Sequence, residues 1–412
     1  GFYAESFRRL DDRSVVWADA RYVRGNRRNV RWNSTADYLL LYPYVVADSV
    51  GGDLTTEEYA FGGGYARRIG RFDIALRGDY RAAQEYRQVD PRPHNVVSDF
   101  TFRLGAGMEL GRSVLILDLR GRLYKQNSRI SFFNETNTVR ELFMAGLGSI
   151  LQRYSGKSGS TLTAYTGRGY AVAAQLMPHR PEGWYARAEY SRFTTDRNYR
   201  PNNSIPVSTL RTQRGEAHVA YRAGRWSLGA YAARSQRLGI EMVADRTGQG
   251  TPVDRQAMYE NRIWQAGAEA TVEWRRGNRR YALRPGVEWQ QSAAEYLWPS
   301  REMTLSRLGG SLRGHAEWLF ARWRFKASLG IGCYGAPSGT LSLPGLADYL
   351  AEYLTGTAER LNSRTLAPEA GFRAERRLRG RTACFAEAGW SPRLYEGGLA
   401  EHNLTAACGF LF

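Results

Sequence analysis

No stretch of this 412-residue chain is long and apolar enough to cross a bilayer as a helix. The longest charge-free apolar run, Tyr38 to Ala47, is about half the length a spanning helix needs, and Pro43 interrupts it. A membrane protein of this composition must therefore cross with strands. The opening residues, GFYAESFRRLDD, have no basic n-region and no apolar h-region, which suits a cytosolic chain and a processed secreted chain equally. Only three cysteines are present, Cys333, Cys384 and Cys408, far apart and never in ligand spacing. They read as small apolar side chains on strands, not as a disulfide framework or a metal site. The motifs of common enzymes are missing too: no GxSxG, HExxH or GxxxxGK[ST] occurs.

Aromatics make up 13% of the chain and glycines number 44, while mean hydropathy is only −0.50. Tyr, Trp and Gly in excess without a hydrophobic surplus point to many strands and tight turns. The pattern agrees. Phe72, Ile74, Leu76 and Tyr80 alternate with Asp73, Arg77, Asp79 and Arg81, and Trp264 to Trp274 alternate in the same way with Gln265, Glu269 and Glu273. One face of each segment is greasy and the other carries both charge signs.

Short Gly/Arg turns and long polar connections join these segments in alternation, as in transmembrane barrels. Candidate strands of about 11 to 14 residues exceed the usual globular length and fit a tilted crossing. Aromatics gather at strand ends, as in Trp184 and Tyr190 or Phe72 and Tyr80, where a lipid-facing wall carries its girdles. The expected fold is all-β: one transmembrane antiparallel β-barrel over 1–412, with 18 strands, or 16 if the Gly-dense region 138–177 contributes fewer. Short turns are expected at the periplasmic side. Long external loops are expected over 24–56, 85–97, 127–137, 196–211, 238–259 and 335–363, with one or more folded into the lumen and a short helix at LADYLAEYL. Hydrocarbon offers no partner to an unpaired edge, so the last strand, alternating to Phe412, should bond to the first near residues 14–23.

The stretch 37–100, with PYVVADSVGGD, YAFGGGYA and DPRPHN, resembles the N-terminal part of a Bacteroidota outer-membrane family without assigned function. That resemblance, with the terminal strand, implies an outer-membrane barrel of a Gram-negative cell. It implies no reaction, and by analogy only it suggests an accessory role beside a TonB-dependent receptor or a surface lipoprotein.

Parity places Arg77, Arg81, Arg103, Arg120, Arg122, Glu216, His218, Arg222, Glu269, Arg284, Arg313, His315, Glu317 and Arg324 on the lumen side. Acid and base nearly balance there, so the formal net charge of +18 resides in the Arg-rich turns, where it can meet lipid or lipopolysaccharide phosphates. These arginines are spread around a rim without interleaved aromatics, which argues against nucleic acid. Two His/carboxylate pairs, Glu216/His218 and His315/Glu317, raise a general-base or metal site. A bracing ion-pair lattice accounts for them more simply. In VDPRPHN, prolines flank Arg92 and orient Asp90, Arg92 and His94 toward a ligand or partner, or else stiffen a surface loop. The function expected is a diffusion channel or an accessory subunit of nutrient uptake, without chemistry or cofactor. The alternatives are a barrel hydrolase acting on lipid or peptide, and a secreted soluble β protein.

Overall fold

A sheet with one greasy and one ionic face can turn the greasy face to lipid only if no edge is left unpaired, and closing it on itself satisfies every edge while enclosing the ionic face. The computed structural model describes residues 1–134, 141–155, 161–200, 204–244, 252–378 and 382–411. Its wall is a closed ring of 17 strands. The first six are β1 (Phe2–Arg9), β2 (Ser14–Val30), β3 (Gly52–Ile69), β4 (Phe72–Tyr86), β5 (Arg92–Leu110) and β6 (Ser113–Ser131). Then come β7 (Thr161–Pro178), β8 (Gly183–Tyr199), β9 (Ile205–Ala223), β10 (Trp226–Ala244), β11 (Pro252–Arg276) and β12 (Arg279–Tyr296). The ring is completed by β13 (Arg301–Leu319), β14 (Trp323–Ser342), β15 (Thr365–Arg377), β16 (Ala383–Trp390) and β17 (Leu404–Leu411). Neighbours run antiparallel except at the seam: an odd ring brings β1 and β17 together in the same direction, with Phe2 opposite Cys408.

The count departs from both 18 and 16. Of the expected strand over 138–150 the described part, 141–150, is not wall; of the two expected between 159 and 177 the described part belongs to one strand, β7; and β1 lies ahead of the first strand expected, while 138–140 and 159–160 lie outside the described residues. The last strand accordingly pairs with β16 and β1, not with 14–23. Phe412 lies outside the described residues.

Cross-strand register gathers the apolar residues on the outside. Phe61 faces Tyr80, Tyr80 faces Phe100, and Phe100 faces Leu123. Phe72, Leu117 and Trp264 are 42%, 50% and 46% exposed, far from any dry centre. This belt covers roughly the turn-side two thirds of the longer strands.

Above it the polarity reverses. Val97, Tyr124, Tyr165, Leu210, Tyr259 and Tyr296 are buried on the inside, while Lys125, Arg129 and Arg168 are exposed on the outside. The wall therefore continues past the belt with its greasy face turned inward. The described residues of the connections expected over 85–97, 196–211 and 238–259 are largely strand for this reason, since an inverted pattern mimics a polar loop.

What the upper wall encloses is the chain itself. Between β2 and β3, residues 31–51 enter the barrel with a short helix α1 (Tyr38–Leu41) and a strand at Val46–Ala47. Between β6 and β7, Leu142–Gly146 and Ser149–Ile150 join that strand in a small three-stranded sheet. Helix α2 (Asp348–Asn362), longer than LADYLAEYL alone, buries Leu350, Leu354 and Ala358. Trp32 stacks on its Tyr349 and Tyr353 with centroids 6.1 and 4.7 Å apart.

Candidate functional site

Two regions of the interior carry polar chemistry: the lumen at belt height and the plug above it. In the lumen, alternation projects the ionic residues of each strand inward. Arg77 meets Asp79 at 2.6 Å and Asp19 at 2.7 Å. Arg81 contacts Asp37 and lies 3.3 Å from Glu58 and 3.5 Å from Asp99, which also binds Arg122 at 2.7 Å. Arg103 is 3.9 Å from Asp79, and Arg120 shares Glu189 with Arg187. On the far arc Arg222 binds Glu273 at 3.0 Å, Arg313 binds Glu369 at 2.9 Å and Arg324 binds Glu317. Arg284 donates to the Thr271 hydroxyl at 3.2 Å. The arginines of these pairs keep about a quarter to half of their side-chain surface exposed, although Asp99 and Glu189 keep only 10%, so most pairs contribute about 1 kcal/mol or less. Their joint effect is to cancel the lumenal field and to brace adjacent strands.

Side-chain size divides the lumen. Long residues lace the arc from β2 to β8. On the other arc Gly229, Gly286, Gly309 and Ser311 leave a cavity of about 440 Å³, lined also by Arg187, His218, Tyr231, Glu269 and Arg313. A second cavity of about 1090 Å³, nearer the turns, is lined by Glu273, His315, Glu317, Lys326, Arg373 and Glu387.

The two histidines face separate cavities. His218 Nε2 lies 3.8 Å from Glu216, whose carboxylate is held at 2.9 Å by Arg214, and the imidazole stacks on Tyr231. Glu317, the expected partner of His315, is taken by Arg324 and Arg280. Among the described residues neither site joins a base, an orienting acid and a nucleophile. Among the described residues no group of three His, Cys, Asp or Glu side chains is placed to hold a metal.

Asp90 and Arg92 bond to each other and to the connection that follows β6. The Asp90 carboxylate accepts the Phe133 and Asn134 amides, both at 2.8 Å, and Arg92 Nε at 2.7 Å. The Asn134 amide first, then Phe133 and Arg92, hold its carboxyl below the usual range. Arg92 lies over the Phe133 ring at 4.0 Å. His94 points outward, edge-on to Tyr86.

The plug is fixed by residues the sequence did not single out. Asp48 is its hub. It pairs with Arg87 at 2.7 Å, both side chains being 1% exposed, and accepts the Ser34 hydroxyl at 2.6 Å and the Gly51 amide at 2.7 Å. Arg197, fully enclosed, donates to the Val45 and Met144 carbonyls between the rings of Tyr44 and Phe143. Arg237 donates to the Leu39 and Tyr42 carbonyls, and Arg301 donates to Leu147 O and Ser149 Oγ. The Tyr44 hydroxyl meets Glu241, and burial raises this phenol well above its ordinary value, so it stays neutral. Wall strands β8, β10 and β13 thus grip the plug through backbone carbonyls, which carry no residue signature. The readable clue was the inversion of polarity.

No curated protein matches the chain in sequence. Among solved structures it is similar to a bacterial polysaccharide outer-membrane secretin, with TM-score 0.43 and 11% identity over 86% of this chain and 89% of that one. It is similar also to the copper transporter OprC, with TM-score 0.48 and 7% identity over 93% of this chain and 57% of that one. A third is BauA, the ferric preacinetobactin receptor from Acinetobacter baumannii, with TM-score 0.45 and 9% identity over 97% and 69%. Such distant likenesses carry no function across. The family is shown by sequence: the chain belongs to DUF6850, a family of unknown function, whose pattern matches residues 1–412.

Proposed function

We propose that this DUF6850 member is an outer-membrane barrel that works as a plugged accessory subunit of an uptake system and not as an open diffusion channel. A closed β wall with an apolar exterior belt supports the outer membrane of a Gram-negative cell as its location, because strands cross bilayers only as closed barrels. The observation that carries the plugged reading is the enclosure of 31–51 and 141–155 within the loop end, anchored by the buried Asp48–Arg87 pair. A channel needs water along its length. Here the cavities lined by charged side chains lie below the plug, on the turn side, which by barrel convention faces the periplasm. The partner this arrangement suits is a second protein that moves the solute, a TonB-dependent receptor or a surface lipoprotein, and the lumen itself performs no chemistry.

The test joins planar-bilayer recording with native co-purification. Silent insertion together with a stoichiometric membrane companion is expected. Stepwise conductance from the unaltered chain overturns the reading in favour of a channel.

A further inference from the structure

The outer surface above the belt carries a second feature, independent of the plug. Lys125 on β6, Arg168 on β7, Arg192 on β8 and Arg211 on β9 all point outward from adjacent strands. Lys125 faces Thr166 and is diagonal to Arg168, which faces Thr194 and is diagonal to Arg192. Arg192 faces Gln213 and is diagonal to Arg211. Diagonal neighbours sit about 7–8 Å apart, so the four cations form one continuous zigzag.

Most lumenal arginines are paired, and so are some outward cations above the belt: Arg24 lies 3.6 Å from Glu57 and Arg262 lies 2.6 Å from Glu260, whereas Arg129, among the described residues, has no carboxylate within 4.0 Å. Among the described residues, none of the four cations has a carboxylate within 4.0 Å, and the nearby Asp196 is occupied by the Thr209 hydroxyl at 2.6 Å. Four like charges held side by side without counter-charge repel one another, a cost that an external anion relieves. Directly below them, Leu123, Tyr170 and Tyr190 are 59%, 50% and 43% exposed and continue the belt. Cations over a greasy wall match an amphiphile with a phosphorylated head and acyl chains. Four strands span about 14 Å between the outer two, at roughly 4.8 Å each, which is wider than a single phosphate.

We propose that this patch binds a glycolipid bearing more than one phosphate, the lipid A class, in the leaflet at the plug end. The proposal rests on the exterior being lipid-facing and not on the plugged state. Its test uses the full chain in non-ionic detergent micelles, titrated with bisphosphorylated lipid A, dephosphorylated lipid A and phosphatidylglycerol. The variant is K125Q/R168Q/R192Q/R211Q, and a control of equal charge change at the turns is R225Q/R276Q/R279Q/R322Q.

The patch variant is expected to lose about tenfold or more of its affinity for bisphosphorylated lipid A, with the loss shrinking at high salt. Phosphatidylglycerol binding and the control variant should change by less than about twofold. Equal loss on both phosphorylated lipids, equal loss in the control, or no loss at all overturns the proposal. If the quadruple variant lacks heat-modifiable migration, R168Q/R192Q is read against the same criteria, with a loss of about threefold or more expected. Heat-modifiable migration of the unaltered chain, read separately, tests the lipid-facing exterior.

Discussion

Removing Asp48 should release the plug while leaving the wall closed. Arg87 and Asp48 are each 1% exposed, and Arg87 Nη1 has no hydrogen-bond partner, so the guanidinium depends on that carboxylate and on the Pro91 carbonyl at 2.8 Å. Asp48→Ala leaves the cation enclosed and unpaired, which costs about 3–5 kcal/mol. It also strips the Ser34 hydroxyl and the Gly51 amide of their acceptor. The wall ladder uses none of these groups, so the cost falls on the seating of 31–51. Arg87→Met alone should cost less, because the carboxylate keeps its bonds to Ser34 and Gly51. Replacing both, as Asp48→Ala with Arg87→Met, removes both buried charges and should be less damaging than the two single losses added together. Denaturant unfolding of the four proteins in one detergent gives the cycle, and a coupling of at least about 2 kcal/mol is expected. Bilayer recording should show current from Asp48→Ala and silence from the double variant. Coupling below about 0.5 kcal/mol, or silence from Asp48→Ala, would refute the anchoring argument.

Other outcomes follow from the same geometry. A Cβ on Gly239 would lie 2.4 Å from the Tyr44 hydroxyl, so Gly239→Leu should push the plug off its seat at about 1–3 kcal/mol and admit current without dissolving the barrel, as unfolding and conductance would show. Leu119 faces lipid near the middle of the belt, 48% exposed, and Leu119→Arg should destabilise by about 2–4 kcal/mol. Asn127→Arg, on the same strand but above the belt, should cost about 0–1 kcal/mol, and denaturation in liposomes separates the two. Cys333 and Cys408 are free and exposed on the outer wall, so in vesicles they should react with a lipid-soluble maleimide and resist a charged one.

The exterior was legible because lipid imposes one demand on every outward residue at belt height, and Phe72 to Tyr80 or Trp264 to Trp274 meet it without interruption. Lumen-facing positions followed from the same parity, but their pairing did not, since Asp19 and Arg77 are 58 positions apart and meet only once β2, β3 and β4 are in register. The upper wall was hidden for a different reason. With an apolar plug inside, Tyr124, Tyr165 and Tyr259 turn inward while Lys125 and Arg168 turn outward, and the lipid rule no longer applies. The apolar run LFMAGLGSI suggested a wall strand because buried plug and lipid-facing wall draw on the same residues. Asp48 and Arg87 gave no signal as a pair, because neither belongs to a period-two pattern that crosses the belt.

The central claim is that the chain fills its own barrel at the loop end, and amide hydrogen exchange in nanodiscs tests it most directly. The amides of Trp32, Ser34, Met144 and Leu151 bond to Asp48, Val46, Val45 and Phe143 carbonyls at 2.8–2.9 Å, all inside the wall. Peptides covering 31–51 and 141–155 should therefore exchange as slowly as wall strands such as β6 and β11. Exchange of those peptides as fast as that of the turn at Arg275 to Arg280 would contradict the account.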